Sequence, residues 1–202
     1  YRWHLNYINQ VLGQRHQQPH GALSLVILED GPLFIGDTHI RSDPSPAQIA
    51  ETVIGAARHV RRFGLTPNIA MCAHSQFGNL QSDTGDRLRA AIALLDAMEL
   101  DFTYEGEMNI DSALDPELRA RIFPGNKMQG AANVLIFANA DAASGVRNIL
   151  KSKADGLEVG PILMGLGNKA HIVTPSITAR GLLNMAAIAG TAMLVISDID
   201  SA

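Results

Sequence analysis

Cysteine is almost absent from this chain, which has a single one, Cys72, in 202 residues. A disulfide or a multi-thiolate metal site needs at least two thiols, so neither can form within one chain. Such sparing use of cysteine is typical of a reducing compartment. We therefore expect a cytoplasmic protein.

Basic clusters and long apolar runs are also lacking. The chain has 16 Lys and Arg against 20 Asp and Glu, a formal net charge of −4, which argues against nucleic acid as a partner. The apolar segment at 185–196 is interrupted by Gly190 and Thr191 and is shorter than the ~20 residues of a membrane-spanning helix. We expect no contact with nucleic acid or membrane. No signal peptide is visible at the start. Because the chain also begins without methionine, we interpret it as a fragment of a longer polypeptide.

What the chain does have is a central stretch, 133–176, with the pattern of a β-α-β unit. Residues 134–137 form an unbroken apolar run typical of a strand buried on both faces. Asn139 supplies a capping oxygen for a helix predicted over 141–152. Residues 157–163 predict a second strand, and a crossover of this kind joins parallel strands. The stretch therefore predicts a parallel sheet.

Small residues mark the far end of this unit: Gly160, Pro161, Gly165 and Gly167. Ligands of open α/β sheets lie beyond the carboxyl ends of the strands, where small residues allow close backbone approach. We therefore expect a ligand site here, with Met164 and Thr174 beside it and Lys169 as the nearest charge in sequence.

The first third of the chain predicts one amphipathic helix, a hairpin and a second helix. Apolar spacing places the first helix over 3–18. Two apolar runs flank Asp30-Gly31, a strong hairpin signal. Ser45 opens the next helix with a capping box and Pro46 at its first position. His16 and His20 have a spacing that can serve a metal, but Pro19 breaks the helix between them, so we interpret them as part of a surface loop.

A polar loop at 74–79 follows a buried strand predicted over 68–73 and precedes a helix predicted over 83–98. A glycine-containing loop ahead of a helix N-terminus is typical of an anion site. We name Ser75, Gly78 and Asn79 as candidate ligand-binding residues.

Two later segments complete the pattern. A short strand is predicted over 102–104, followed by an acidic stretch, 105–115, whose side chains we expect to be solvated. The last helix, predicted over 178–194, is apolar nearly all round, which indicates burial inside the fold or at a subunit contact.

Several of these segments carry a family resemblance. AANVLIFANADAA followed by GPILMGL resembles the C-terminal part of the phosphate acetyltransferase and butyryltransferase family. AHIVTPSITARGLLNM is more similar to the version of that domain fused behind bacterial NADP-dependent malic enzymes. The resemblance extends from about Phe34 to about Ala189 and includes the SxxG motif at 75–78 and EGEM at 105–108.

The resemblance implies a three-layer α/β fold with a parallel or mixed sheet, like that of isocitrate and isopropylmalate dehydrogenases. Coenzyme A and the acyl donor of such transferases lie in a cleft between two domains. By this analogy residues 1–20 are the helical remnant of a first domain, 21–163 form the central α/β domain, and 164–202 return to the first domain.

The resemblance also indicates which catalytic groups are missing. Active transferases of this family carry a serine that polarises the acyl thioester, an adjacent arginine that holds phosphate, and an aspartate that acts as base for the thiol. Those positions are Thr174, Pro175 and Gly181 here. Proline carries no charge and glycine accepts no proton, so the rate should fall by orders of magnitude. Met164 and Phe77 likewise replace a glutamine and a lysine of the family, and we expect no catalytic residues in this chain.

The function implied is that of a regulatory and oligomerisation domain of an NADP-dependent malic enzyme, which decarboxylates malate oxidatively to pyruvate. The expected partners are acetyl-CoA or another CoA ester as allosteric inhibitor, further copies of the chain, and an N-terminal malic enzyme domain. NADP and a divalent metal would bind outside this chain, and we expect no cofactor or metal within it. Two alternatives remain open: an active phosphate acetyltransferase that uses Thr174 with a different base, and a structural dimerisation module without a ligand.

Overall fold

A computed structural model of the chain describes residues 2–12, 21–154, 156–165, 170–175 and 177–191. Some predicted features lie outside these described residues: the His16 and His20 pair, Gly167 and Lys169.

The described residues contain one six-stranded mixed sheet. Its strands are β1 Gly21–Leu28, β2 Gly31–Gly36, β3 Asn68–Cys72, β4 Thr103–Met108, β5 Val134–Phe137 and β6 Leu157–Met164. Their order across the sheet is β4-β3-β5-β2-β1-β6. Strand β1 is antiparallel to both of its neighbours, whereas all other neighbouring strands are parallel. The carboxyl ends of the other five strands therefore meet at one edge of the sheet.

Helices cover both faces of this sheet. They are α1 Arg2–Leu12, α2 Pro46–Arg62, α3 Asp83–Asp96, α4 Ile110–Leu114, α5 Pro116–Ile122, α6 Ala140–Lys153 and α7 Ala179–Gly190. One buried cluster joins α2, α3 and α7 to one face of the sheet. A second cluster joins α4 and α6 to the opposite face. The predicted three-layer α/β architecture with a mixed sheet is confirmed.

Local sequence signals explain several element boundaries. The hairpin predicted at Asp30-Gly31 forms, with Leu28 paired to Gly31 across the turn. The capping box is also present, because Oγ of Ser45 accepts from the amide of Gln48 at 3.3 Å and Oε1 of Gln48 accepts from the amide of Ser45 at 3.0 Å. Both features satisfy backbone groups that the ends of these elements leave unpaired.

The β-α-β prediction needs correction. Strands β5 and β6 run in the same direction, but β2 and β1 lie between them, and the partner of β6 is the antiparallel β1. Gly160 and Pro161 accordingly lie in the middle of β6 and not beyond its end. The helical crossover spans two strands because the early hairpin adds β1 beside β2.

The prediction for the acidic stretch was wrong in part. Strand β4 continues through Glu105 to Met108, so the first residues of the acidic stretch lie inside the sheet. Helix α7 buries only Gly181 and Met185, whereas Leu182 and Leu183 are 52% and 69% exposed. Met185 packs against the sheet while these two leucines stay exposed in the single chain, so burial of α7 at a subunit contact stays a prediction. No helix among the described residues is long and apolar enough to cross a membrane.

Candidate functional site

The topology singles out the point between β3 and β5 at the carboxyl edge. From β3 the chain continues through α3 on one face to β4, while from β5 it continues through α6 on the other face toward the opposite end of the sheet. A crevice opens where the connections from two neighbouring parallel strands leave on opposite faces of the sheet. Ligands of open α/β sheets bind in this crevice.

A cavity of about 640 Å³ lies at this point. Its lining comes from the ends of β3, β4 and β5, from Thr84 of α3 and from one face of α6: Cys72, Ala73, His74, Thr84, Asn109, Ile110, Asp111, Phe137, Ala138, Asn139, Asp141, Ala142, Gly145, Val146 and Ile149. The volume falls within the range of small-molecule sites, and an apolar wall with a few polar groups is typical of them.

The polar rim of this cavity is held by internal hydrogen bonds. Oriented to satisfy its neighbours, the amide of Asn109 donates to the carbonyls of Ala73 and His74 at 2.9 Å each and accepts from Nε2 of Gln76 at 2.8 Å. Oδ1 of Asn139 accepts from the amide of Ala142 at 2.9 Å and caps α6. The bonds of Asn109 fix the loop after β4 to the loop after β3, and the bond of Asn139 fixes the start of α6 after β5.

Cys72 is not a nucleophile candidate, although it lines the cavity. Its side chain is 2% exposed, and burial raises the pKa of the thiol, so the reactive thiolate is disfavoured.

A second cavity of about 380 Å³ lies on the other side of the α6 N-terminus, beside the end of β2. Asp37 shapes its wall, because Oδ1 accepts from the amides of Ala22, His39 and Ile40 at 3.0, 2.9 and 3.1 Å. Burial raises the pKa of Asp37, and these backbone bonds oppose the shift. His39 is held neutral, since burial and the nearby Arg147 lower its pKa to about 4.

The predicted anion loop has its donors turned inward. The hydroxyl of Ser75 is fully buried and donates to Oε1 of Glu107 at 2.8 Å, and the amide of Gly78 donates to the same oxygen at 2.9 Å. Oδ1 of Asn79 accepts from the amide of Gln76 at 2.8 Å. These groups therefore already have partners within the chain.

The predicted residues near β6 form a separate group. Pro161 and Met164 are buried, and Sδ of Met164 lies 3.2 Å from where a Cβ of Gly55 would be. Gly165 directly follows β6, and Thr174 is half-buried in the segment ahead of α7. Four strand spacings of ~4.8 Å separate β3 from β6, so the end of β3 and Gly165 at the end of β6 are ~19 Å apart across the sheet. The structure does not bring them together into one small-molecule site.

Helix α7 carries the last predicted position. Gly181 is buried in its first turn, and its amide donates to Oγ1 of the capping Thr178 at 3.0 Å. A Cβ added to Gly181 would lie 2.9 Å from Cγ1 of Ile177. The position is therefore too crowded for a larger side chain without local adjustment. Pro175 is exposed, and the carbonyl of Thr174 accepts from the amide of Ile177 at 3.0 Å.

Sequence reasoning missed the role of two glutamates in the acidic stretch, whose side chains it predicts to be solvated. Glu107 is fully buried and Glu105 is 9% exposed. Oε2 of Glu105 accepts from the amide of Lys127 at 2.8 Å. An isolated glycine inside a strand pattern, here Gly106, indicates a bulge and was the available signal.

No group of three or more His, Cys, Asp and Glu side chains that could hold a metal ion is found in the described part of the chain.

Comparisons with known proteins agree on one family. A family model described as phosphate acetyl/butaryl transferase matches residues 2–190. The NAD-dependent malic enzyme of Rhizobium meliloti (strain 1021) is 42% identical over 190 residues, which are 94% of this chain and 25% of that enzyme. The NADP-dependent malic enzyme of Salmonella typhimurium (strain LT2) is 36% identical over 191 residues, again 94% of this chain and 25% of that enzyme.

A solved structure shows the same relationship. The EutD phosphotransacetylase from Staphylococcus aureus is 25% identical, with a TM-score of 0.78, over 84% of this chain and 52% of that chain. By the coverage of the two malic enzymes given above, the chain spans about a quarter of their length.

Proposed function

Because the chain belongs to the phosphate acetyl/butaryl transferase family, we propose that it is the phosphotransacetylase-like domain of a bacterial malic enzyme, that it binds acetyl-CoA or another CoA ester as an allosteric inhibitor, and that it catalyses no acyl transfer. The absence of acyl transfer is inferred from the residues at the positions where the catalytic groups are expected. Proline and glycine stand at 175 and 181, and Ile177 crowds the space beside Gly181. Neither an anion-binding cation nor a general base is available at those positions.

The proportions of the matches support a domain role. They cover 94% of this chain and 25% of the two malic enzymes. The remaining three quarters would hold the malate site, the divalent metal and the nicotinamide cofactor. Relatives of both NAD- and NADP-dependent type match, so either cofactor is consistent with this proposal. The partner of the domain would be the N-terminal malic enzyme domain of the same cytoplasmic chain.

The 640 Å³ cavity supports a site for the acyl-pantetheine arm of a CoA ester. Ile110, Phe137, Val146 and Ile149 supply the apolar wall that this arm requires. The amides of Ala140, Ala142 and Ala143 at the start of α6 already have acceptors within the chain, so the phosphates of the ligand would lie outside this turn. Gly165, which directly follows β6, lies toward the other end of the same edge, where a long ligand would extend.

The test combines calorimetry with the malic enzyme assay on the full-length protein. Acetyl-CoA at a hundredfold excess over its dissociation constant should stabilise the protein by ~2.7 kcal/mol and should slow malate-dependent reduction of the nicotinamide. Gly145 faces the cavity with no atom within 4 Å of an added Cβ. Gly145→Trp should therefore fill the cavity and abolish both effects, whereas the matched Gly145→Ala should retain them.

Two results would contradict the proposal. The absence of heat and of a thermal shift at millimolar acetyl-CoA would leave a structural module without a ligand. Formation of acetyl phosphate from acetyl-CoA and phosphate at an enzymatic rate, on the order of 1 to 1000 per second, would show an active transferase.

A further inference from the structure

The carboxylate of Glu107 is the focus of a set of anion-binding donors. Its Oε1 accepts from the hydroxyl of Ser75 at 2.8 Å, from the amide of Gly78 at 2.9 Å and from Nη1 of Arg89 at 2.7 Å. Its backbone carbonyl also accepts from the amide of Phe77 at 2.7 Å. A hydroxyl, a loop amide and a guanidinium therefore converge on the carboxylate, and these are donors with which proteins bind a phosphate or another oxyanion.

A β-bulge directs this carboxylate under the loop. Met71 of β3 pairs with Gly106 and the next residue, Cys72, pairs with Met108, so Glu107 is the extra residue of β4. Bulges re-aim side chains near functional sites. Gly106 permits the close approach of the two strands, since an added Cβ would lie 2.6 Å from the carbonyl oxygen of Met71.

Helix α3 and the loop after β3 both shape the surroundings of the Glu107 carboxylate. Gly85 in the first turn of α3 leaves room for the Ser75 hydroxyl, which would lie 2.5 Å from a Cβ at that position. Phe77 adopts a positive φ of 49° and Gly78 one of 81°, a conformation that turns consecutive amides toward one concavity. Arg89 is also bound by the exposed Asp86, so its guanidinium is fixed across the loop.

One feature distinguishes Glu107 from a carboxylate that merely forms a buried ion pair. All three side-chain bonds fall on Oε1, while the buried Oε2 has no hydrogen-bond partner among the described residues. A buried polar atom without a partner lowers stability. Three donors therefore converge on a single carboxylate oxygen, which is the arrangement expected around one oxygen of a bound anion.

We propose that Glu107 is an internal anion that occupies an oxyanion site formed by Ser75, Gly78 and Arg89, and thereby closes this loop to inorganic phosphate. An intramolecular carboxylate competes at a high effective concentration that a free anion does not reach. Its charge also repels a second anion at the same donors. The inference goes beyond the proposed function, because it concerns inorganic anions and holds whether or not coenzyme A binds.

The test removes the internal anion and supplies phosphate in solution to the full-length protein. Glu107→Ala frees the three donors, so phosphate should raise its Tm above the value in chloride of equal ionic strength, with an apparent affinity at least tenfold tighter than in wild type. Glu107→Gln fills the same space and should show no gain. Arg89→Ala combined with Glu107→Ala should lose the gain, and this double variant also measures the general stabilisation of proteins by phosphate.

Outcomes against the proposal are equally definite. A Glu107→Ala protein that folds but responds alike to phosphate and chloride would overturn it. If that variant does not fold, amide resonances of Ser75 and Gly78 in wild type decide the question. They should not move when millimolar phosphate replaces chloride, and a saturable shift would show that the loop is open. None of these measurements uses acetyl-CoA, so a failure here is distinct from a failure of the proposed function.

Discussion

Gly181 and Ile177 are so closely packed at the start of α7 that a Cβ added to the glycine would lie 2.9 Å from Cγ1 of the isoleucine. By contrast, Gly190 at the other end of the same helix has no atom within 4 Å of such a Cβ. The two glycines therefore form a matched pair. Gly181→Ala should lower the free energy of unfolding by ~1–3 kcal/mol through overpacking, while Gly190→Ala should change it by less than ~1 kcal/mol and in the stabilising direction. Urea unfolding of both variants measures the difference, and equal effects would contradict the packing argument.

The same crowding affects any attempt to introduce the catalytic groups that the family resemblance implies at 174, 175 and 181. Ser, Arg and Asp placed together at 174, 175 and 181 should give no acetyl phosphate above background, because an aspartate at 181 must first displace Ile177. Adding Ile177→Ala to this triple variant relieves the contact and is the matched control. Activity in the triple variant itself would show that the identities of the three residues alone prevent catalysis.

Arg119 is 1% exposed and organises the connection between β4 and β5. Its guanidinium donates to the carbonyls of Ser112 and Ala113 at 2.9 and 3.2 Å and to those of Met128 and Gly130 at 3.3 and 2.6 Å. Arg119→Lys cannot reproduce this planar fork of donors, so buried carbonyls lose their partners and stability should fall on the order of 3 kcal/mol. The urea midpoint reports the change. Exposed Arg121 in the same helix is the control, and Arg121→Lys should be neutral within ~0.5 kcal/mol.

Stability should fall on mild acidification because of His59 and His171. Burial, with Arg62 nearby, lowers the pKa of His59 to about 3 and that of His171 to about 4. Both rings are therefore neutral when folded, and Nδ1 of His171 accepts from the amide of Leu163 at 3.1 Å. The unfolded chain binds these protons near pH 6.5, so their contribution is fully present above that pH and is lost as the pH falls toward 4. The slope is ~1.4 kcal/mol per pH unit for His59.

The measurement is urea unfolding of wild type and His59→Gln between pH 7 and pH 4.5. Wild type should lose stability more steeply than the variant, because glutamine takes up no proton in either state. Parallel curves would show that His59 does not contribute to the pH dependence.

The exposed leucines of α7 supply the argument for self-association. Leu182 and Leu183 are 52% and 69% exposed on neighbouring positions of a helix in which Arg180 and Asn184 are the only residues with polar side chains. If this surface joins two copies, the double variant Leu182→Glu and Leu183→Glu should show a lower mass by light scattering. The dissociated monomer should remain folded, with an unchanged Tm. Leu94→Glu, on the 40% exposed Leu94 of α3, is the control and should leave the mass unchanged. An unchanged mass in the double variant would place the contact elsewhere.

Local sequence signals determined most of the secondary structure and the layer arrangement. The capping box at Ser45, the Asp30-Gly31 hairpin and the apolar run at 134–137 each fix an element through bonds or burial within a few residues. The alternation of strands and helices then requires helices on the faces of a sheet. These features depend on neighbours in the chain, so the sequence alone was sufficient for them.

Tertiary structure decided the order of the strands in the sheet. It also decided which hydrogen-bond donors lie near which acceptors. The hairpin places β1 beside β6, which separates Ser75 after β3 from Gly165 after β6 by most of the sheet width. Glu107 and Ser75 are 32 residues apart, and their bond exists only because β3 and β4 pair with a bulge between them. A one-residue offset in strand pairing reverses the face to which a side chain points. The sequence pattern of the acidic stretch therefore predicts solvated side chains, although the fold buries one of its carboxylates at the centre of the loop after β3.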